Sequence, residues 1–261
     1  MKLKVYIVNA FSEKKFSGNP AAVVMLKEWL SETQMQQIAA QNNLAETAYV
    51  IPLGNDYEIR WFTPAVEVDL CGHATLASAH VMFEHLGYDR DQIIFRSKGG
   101  PLKVTRGQGR ITLDFPANEP DPSTDQDGLI ERGLGIKPKA VYKSRYDYMV
   151  VLNSQSEIES LNPDLALVKK LLSRGLIVTA KGDEADFVSR CFFPQSGIDE
   201  DPVTGSAHVV MVPYWARQTG RNKLSAIQLS ARRGWLECEL DGDRVLISGQ
   251  ANTYLEGEFY I

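Results

Sequence analysis

The segment that decides the fold lies at residues 201–208 and reads Asp-Pro-Val-Thr-Gly-Ser-Ala-His. Its proline and glycine predict a tight turn, and the apolar run at 209–212 predicts that the turn opens a helix. Thr204 and Ser206 are both candidates for capping this helix. A helix start offers free backbone N–H groups and the positive end of the helix dipole. The segment therefore predicts a place for an anion beside the carboxylate of Asp201.

A second segment with the same features lies in the first half of the chain. It reads Cys-Gly-His-Ala-Thr at 71–75 and precedes a helix predicted at 76–86. Gly72 and Gly87 correspond to Gly205 and Gly220 at one and the same offset along the sequence. Other matches keep the same order at nearly the same offset, such as 60–64 with 190–194 and 117–118 with 251–252. The sequence therefore predicts a duplicated half with two facing helix N-termini.

Composition indicates an ordinary globular protein of 261 residues, with 44% hydrophobic and 23% charged residues. A net charge of -5 and the lack of a basic block argue against nucleic-acid binding. The three cysteines lie far apart without a CxxC motif, which is typical of a reducing compartment. Residues 1–8 are too short for a secretory signal, and no apolar run is long enough to span a membrane. We expect a cytoplasmic protein without membrane or nucleic-acid partners.

The remaining pattern predicts alternating strands and helices in each half. Ser31 and Gln34 form a capping box for a helix that ends near residue 41, and a strand follows at 44–51. Pro213 inside the later core helix, 205–219, predicts a kink. A linker rich in Pro and Asp covers 117–128. The second half is further predicted to hold a helix at 163–173, strands at 140–143, 147–152, 175–180 and 185–193, and a hairpin of 227–239 with 243–248.

Glu46 is an unusual residue because it stands at the entrance of the apolar strand at 44–51. One interpretation is a side chain that simply faces solvent. The other is a carboxylate at the rim of a water-poor site, where desolvation favours the neutral form and suits an acid/base group.

Several sharper motifs are absent. Gly107-x-Gly109 lacks the third glycine of a dinucleotide-binding loop. His80 and His85 do not have the spacing of a zinc-binding HExxH helix, so no metal is expected. Ser206 lacks the GxSxG elbow of a hydrolase. What remains are two helix starts, His73, Ser206, and the carboxylates of Glu46 and Asp201. The helix starts can hold a carboxylated substrate, and the carboxylates and His73 can move a proton on it without metal or organic cofactor.

The chain resembles the phenazine-biosynthesis isomerase-like (PhzF-like) family along its whole length. The resemblance rests on Gly-Asn-Pro at 18–20, Glu-Thr-Ala at 46–48, Cys-Gly-His-Ala-Thr at 71–75 and the segment 201–208. It implies the diaminopimelate-epimerase fold, an α+β fold of two lobes related by a pseudo-twofold axis. Each lobe is a curved, mostly antiparallel sheet wrapped around a central helix. We expect a first lobe at 1–116 joined by the tail 252–261, a second lobe at 119–250, and the active site in the cleft between them.

The family pattern also implies roles for individual residues. Glu46 is expected to be the general acid/base, with Asp201 and His73 completing the catalytic set. The residues expected to bind a small carboxylated substrate are Asn19, Gly72, His73, Gly205 and Ser206. No cofactor is implied, and related proteins suggest a homodimer.

The related epimerases use two thiols, one from each lobe, and this chain departs from that pattern. Cys71 occupies the place of the first thiol, but the segment 201–208 contains no cysteine. The favoured hypothesis is therefore a cofactor-independent isomerase that shifts a proton and a double bond. The alternatives are an epimerase based on one thiol or on carboxylates, and a binding module without turnover.

Overall fold

The computed structural model describes residues 1–261, except for the side chain of Gln126. It divides into two compact units. The first comprises Met1–Phe115 and Ile247–Ile261, and the second comprises Pro116–Leu246. No helix in the part of the chain that the structure describes is long and apolar enough to cross a membrane.

The strands follow one another along both units. They are β1 (Lys2–Ala10), β2 (Asn19–Met25), β3 (Glu46–Leu53), β4 (Asp56–Phe62), β5 (Glu67–Val68), β6 (Gln92–Ser97), β7 (Gly100–Gly107), β8 (Arg110–Pro116), β9 (Asp121–Ser123), β10 (Ala140–Lys143), β11 (Asp147–Val151), β12 (Gly175–Lys181), β13 (Phe187–Phe193), β14 (Ile198–Asp201), β15 (Lys223–Gln228), β16 (Gly234–Asp241), β17 (Arg244–Gly249) and β18 (Ala251–Tyr260).

The α-helices are fewer and of unequal length. They are α1 (Glu32–Asn42), α2 (Gly72–His85), α3 (Leu129–Leu134), α4 (Gln155–Glu159), α5 (Leu165–Val168) and α6 (Gly205–Thr219). Short 3-10 turns lie at Gln126–Gly128 and Pro194–Ser196.

Helix α2 is the central helix of the first unit. Most of its residues between Gly72 and Phe83 are buried on every side of the helix, and it packs against β1, β2 and β3. Small side chains such as Ala74, Ala77 and Ala79 have no accessible surface. A helix that is apolar around its whole circumference is stable only when the sheet covers it.

The sheet of the first unit is mostly antiparallel. Strand β1 pairs with β2 and with β18, and β3 pairs with β4, all antiparallel. Strands β2 with β3 and β4 with β6 are the parallel pairs. Strand β4 also pairs antiparallel with the short β5, and β6 with β7.

The second unit repeats this order of pairings. Antiparallel β10–β11, parallel β11–β12 and antiparallel β12–β13 correspond to β1–β2, β2–β3 and β3–β4. Strand β13 pairs antiparallel with β14 and parallel with β15, and β15 pairs antiparallel with β16. Helix α6 lies between β14 and β15 in sequence, as α2 lies between β5 and β6. The predicted α+β class, with a mostly antiparallel sheet and a central helix in each half, is confirmed.

Pro213 lies inside α6 and lacks the N–H that would bond to the carbonyl of Val209. The backbone N–H of Asn118 donates to that carbonyl instead, at 3.0 Å. The segment that leads into the second unit therefore satisfies the acceptor that the proline leaves open.

The structure confirms the capping box of Ser31 and Gln34 and the limits of α6, but it corrects other predicted elements. Helix α2 begins at Gly72, one turn before the predicted residue 76. The predicted strand at 227–239 is divided into β15 and β16, because Arg233 adopts a left-handed conformation in a turn that Ser230 stabilises.

The helix predicted at 163–173 is also wrong, because α5 covers only Leu165–Val168. Its N-terminus is capped by Asp164, whose carboxylate accepts hydrogen bonds from two backbone N–H groups. The chain then turns toward β11, since the backbone N–H of Arg174 donates to the carbonyl of Tyr146 at 2.7 Å. That contact is incompatible with a helix running through residue 173.

Candidate active site

In the first unit, a buried cluster forms where two strands and a helix begin. Asn19 begins β2, Glu46 begins β3, and His73 is the second residue of α2. His73 Nε2 lies 3.0 Å from Glu46 Oε2, and His73 Nδ1 lies 3.2 Å from Asn19 Nδ2. Cys71 Sγ lies 3.5 Å from His73 Nδ1. The structure thus brings together three of the residues predicted for the site, and adds Cys71.

Local interactions fix where Glu46 and Asn19 stand. The side chain of Asn42, at the end of α1, donates to the hydroxyl of Thr47 at 3.0 Å and so anchors the start of β3. Gly18 has a φ of +72°, and a Cβ there would lie 2.3 Å from the carbonyl oxygen of Ala10. A glycine is therefore required immediately before Asn19.

The contacting atoms of Glu46 and His73 lack the further hydrogen-bond partners that buried polar groups usually have. Glu46 is 9% exposed and His73 is 4% exposed. Among the described residues, Glu46 Oε2 and His73 Nε2 are in ion-pair contact with each other and make no hydrogen bond to any other group. Buried polar atoms without hydrogen bonds are costly, and a catalytic role is one explanation for them. These two atoms are therefore available to a reacting ligand.

The charge state of the cluster follows from burial and neighbouring charges. Burial opposes protonation of His73, but its neighbours Cys71 and Glu46 raise its pKa well above 6.5. Burial and the charge of Glu46 raise the pKa of Cys71 to about 11. The thiol is thus neutral at pH 7, so Glu46 is the partner that favours a protonated His73.

The tautomer of His73 depends on Asn19. An uncharged His73 that accepts from Asn19 Nδ2 must carry its proton on Nε2, toward Glu46. A protonated His73 needs the oxygen of the Asn19 amide at Nδ1 instead, because both ring nitrogens then donate. Asn19 can satisfy either state by rotating its amide.

Glu46, Cys71 and His73 offer potential metal-ligand atoms within 4.8 Å of one another. However, Cys71 approaches Nδ1 of His73, whereas Glu46 approaches Nε2. A metal ion bound at Nδ1 would lie beside Cys71 but not beside Glu46. A metal ion bound at Nε2 would lie beside Glu46 but not beside Cys71. The arrangement therefore suits proton transfer along the imidazole better than it suits a metal centre.

In the second unit, the turn before α6 is held by a buried hydrogen-bond network. Thr204 Oγ1 donates to Asp201 Oδ2 at 2.6 Å, and the Thr204 N–H donates to Gln228 Oε1 at 2.8 Å. Gln228 Nε2 donates to the carbonyl of Asp201 at 2.7 Å. Thr204 occupies the N-cap position without capping the helix with its side chain. The predicted cap is wrong in this respect, because the Thr204 hydroxyl donates a hydrogen bond to Asp201 and accepts none from the helix N–H groups.

Packing also shapes this turn. A Cβ on Gly234, at the start of β16, would lie 2.2 Å from Cγ2 of the buried Val203. His208 is fully buried one turn into α6, and its Nδ1 donates to the carbonyl of Thr204 at 2.8 Å. Burial lowers the pKa of His208 to about 4, so His208 is a neutral structural residue.

Ser206 contacts a charged pair that the sequence did not reveal. Arg174 binds the carboxylate of Asp147 through Nε and Nη2, at 2.9 and 2.5 Å, and Nη2 also donates to Ser206 Oγ at 3.2 Å. Sequence analysis missed Arg174, Asp147 and Gln228. The alignment of the two repeats could have indicated Arg174, because it stands next to the position equivalent to Glu46.

Comparisons with known proteins place the chain in a family. The family model described as phenazine biosynthesis-like protein (PhzC-PhzF) matches residues 8–257, so the chain belongs to this family. An uncharacterized isomerase of Pseudomonas aeruginosa is 48% identical over all of both chains. A phenazine biosynthesis-like domain-containing protein of Mus musculus is 40% identical, over 98% of this chain and 99% of its own. The crystal structure of a PhzF-family protein of Enterococcus faecalis superposes with a TM-score of 0.97, at 45% identity and complete coverage of both chains. The bacterial relative in this comparison is named as an isomerase.

Proposed function

We propose that the protein is a cofactor-independent isomerase that moves a proton on a small carboxylated substrate. The observation that carries this proposal is the buried contact of 3.0 Å between Glu46 and His73, whose two contacting atoms make no hydrogen bond to any other described group. A carboxylate held in this way is suited to take a proton from a carbon atom and to return it elsewhere.

The proposed reaction conserves the composition of the substrate. The carboxylate of Glu46 accepts a proton from a C–H bond, and the electron pair of that bond shifts the neighbouring double bond. Protonated Glu46 then returns a proton at the other end of the shifted system. A positively charged His73 beside Glu46 stabilises the negative charge that develops on the substrate between these steps.

The second candidate is an epimerase that uses Cys71 as its only thiol. The approach of Cys71 Sγ to His73 Nδ1, at 3.5 Å, favours this candidate. The raised pKa of Cys71, about 11, argues against it because the thiolate would be scarce at neutral pH.

Asp201 and Ser206 are proposed to act on the same carboxylated substrate as Glu46, on the strength of the family pattern.

The test is incubation of the native protein with a panel of small carboxylic acids in heavy water, followed by NMR and mass spectrometry. We expect solvent deuterium at a new carbon together with a shifted double bond. Deuterium at an inverted stereocentre would instead support the epimerase. Binding of a panel member with neither deuterium exchange nor a shifted double bond would contradict the proposal and support a binding module.

A further inference from the structure

Arg174 is held firmly in the second unit. Its guanidinium forms a bidentate pair with Asp147, which is only 1% exposed, and lies over the rings of Tyr146 and Phe193. Burial opposes the charge of Arg174, but its pKa is raised because Asp147 and, to a smaller extent, Asp201 stabilise the guanidinium. Its side chain remains 38% exposed, so a ligand can reach it.

The contact with Arg174 determines which hydrogen bonds Ser206 can make. Arg174 Nη2 donates to Ser206 Oγ, and therefore occupies a lone pair of the hydroxyl oxygen. The hydroxyl hydrogen is not used in this contact. A ligand atom that meets Ser206 opposite Arg174 is consequently favoured when it is an acceptor, such as a carboxylate oxygen.

The repeat gives this contact a counterpart in the first unit. Thr47 pairs with Phe62, and Leu176 pairs with Phe192, which makes Gly175 the equivalent of Glu46. Arg174 is the neighbour of that position. Ser206 is the second residue of α6, as His73 is the second residue of α2. In the first unit the carboxylate of Glu46 contacts the imidazole of His73. At the equivalent place in the second unit, the guanidinium of Arg174 contacts the hydroxyl of Ser206.

We propose that Arg174, fixed by Asp147, is a positioning residue that orients Ser206 as a hydrogen-bond donor to an anionic oxygen of the substrate. The proposal rests on the proposed function, since that function supplies the carboxylated substrate.

The first arm of the experiment needs no ligand. NMR of protein with labelled serine measures the χ1 distribution of Ser206 in the native protein, in Arg174→Lys and in Arg174→Gln. We expect one dominant rotamer in the native protein and averaging in both variants. The double variant Asp147→Asn with Arg174→Gln is included, because Arg174→Gln alone leaves a buried carboxylate unpaired.

Arg190→Lys is the matched control. Arg190 forms a similar bidentate pair with Glu200 on the neighbouring strands β13 and β14, but it bonds to the carbonyl of Leu161 instead of Ser206. We expect this variant to keep the native rotamer of Ser206. A single native rotamer of Ser206 in all Arg174 variants would overturn the proposal.

The second arm measures deuterium exchange as a function of the concentration of a carboxylate that the native protein exchanges. We expect Arg174→Lys to raise the half-saturating concentration by roughly 10-fold or more, with a nearly unchanged maximal rate, since hydrogen bonds to charged groups have that worth. An unchanged half-saturating concentration would also overturn the proposal. If the native protein exchanges no carboxylate, the proposed function fails, while the rotamer of Ser206 still decides whether Arg174 positions it.

Discussion

At the scale of single residues, two buried histidines in equivalent helices have pKa values that are shifted in opposite directions. The pKa of His73 is raised because Cys71 and Glu46 lie beside it, whereas burial lowers the pKa of His208 to about 4. Both rings lie in the first turns of their helices, so the neighbouring side chain decides the charge. His73 is thereby equipped for chemistry, and His208 for packing.

His208 makes a testable contribution to acid unfolding. An unfolded histidine titrates near pH 6.5, so between about pH 6.5 and pH 4 the unfolded state binds more protons than the folded state. Stability therefore falls as the pH drops through this window, by roughly 3 kcal/mol in total from this group. We expect His208→Gln, which does not titrate, to flatten the pH dependence of the free energy of unfolding between pH 6.5 and 4. Urea titrations of both proteins at several pH values measure it, and equal slopes would be inconsistent with a neutral buried His208.

A substitution of Cys71 distinguishes the two enzymatic candidates, the isomerase and the one-thiol epimerase. If Glu46 carries the proton, Cys71→Ser should change the exchange rate by only a few-fold, because the thiol is protonated and serves as a small buried group. Cys238→Ser, which also replaces a buried thiol, controls for the cost to packing. A loss of 100-fold or more in Cys71→Ser alone would favour the one-thiol epimerase.

The sequence indicated some of these residues and not others. Glu46 and His73 stand in recognisable segments, at a strand entrance and a helix start. Arg174 and Asp147 are far apart in the sequence, and only the parallel pairing of β11 with β12 brings them together. Local patterns do not contain such pairings, and charged residues at the ends of predicted elements are usually solvated.

At the scale of elements, Pro213 shows how a sequence irregularity is used by the fold. Because Pro213 has no N–H, the carbonyl of Val209 accepts a hydrogen bond from the N–H of Asn118 instead. We expect Pro213→Ala to restore the helical hydrogen bond and to weaken the contact with Asn118, so the amide of Asn118 should exchange with solvent faster. Hydrogen exchange followed by NMR measures this, with Ala216 in the same helix as the internal reference. Unchanged protection of Asn118 would contradict the explanation.

Element boundaries were predictable where local signals were strong. The capping box of Ser31 and Gln34 correctly located α1, and Gly205 and Gly220 bounded α6. The predicted helix at 163–173 failed because Arg174 is drawn to Tyr146 and Asp147, a tertiary contact that local propensity does not contain. The predicted strand at 227–239 failed because the left-handed conformation of the turn falls on Arg233 and not on the glycine that follows it.

At the scale of the whole molecule, the duplication is the feature that the sequence predicted best. Matches at nearly constant offsets anticipated two halves with the same order of strand pairings around a central helix. The divergence between halves was harder to foresee, because the repeats keep their frame and change the side chains at equivalent places. Glu46 with His73, and Arg174 with Ser206, illustrate this change. A cytoplasmic location and a homodimer stay predictions.

The central claim is that Glu46 carries the proton. Glu46→Gln keeps the shape of the side chain and removes its titrating group, so folding and carboxylate binding should persist. Glu58→Gln, on the neighbouring strand β4, is the matched control and should behave like the native protein.

The most direct measurement is the rate at which solvent deuterium enters the C–H bonds of a bound carboxylic acid. It is made for the native protein, Glu46→Gln and Asp201→Asn. We predict that Glu46→Gln lowers the rate by roughly 100-fold or more, the usual worth of general acid/base catalysis, with binding retained. Asp201→Asn should have a smaller effect on the maximal rate. Near-native exchange in Glu46→Gln, together with its loss in Asp201→Asn, would reverse the assigned roles and contradict the account.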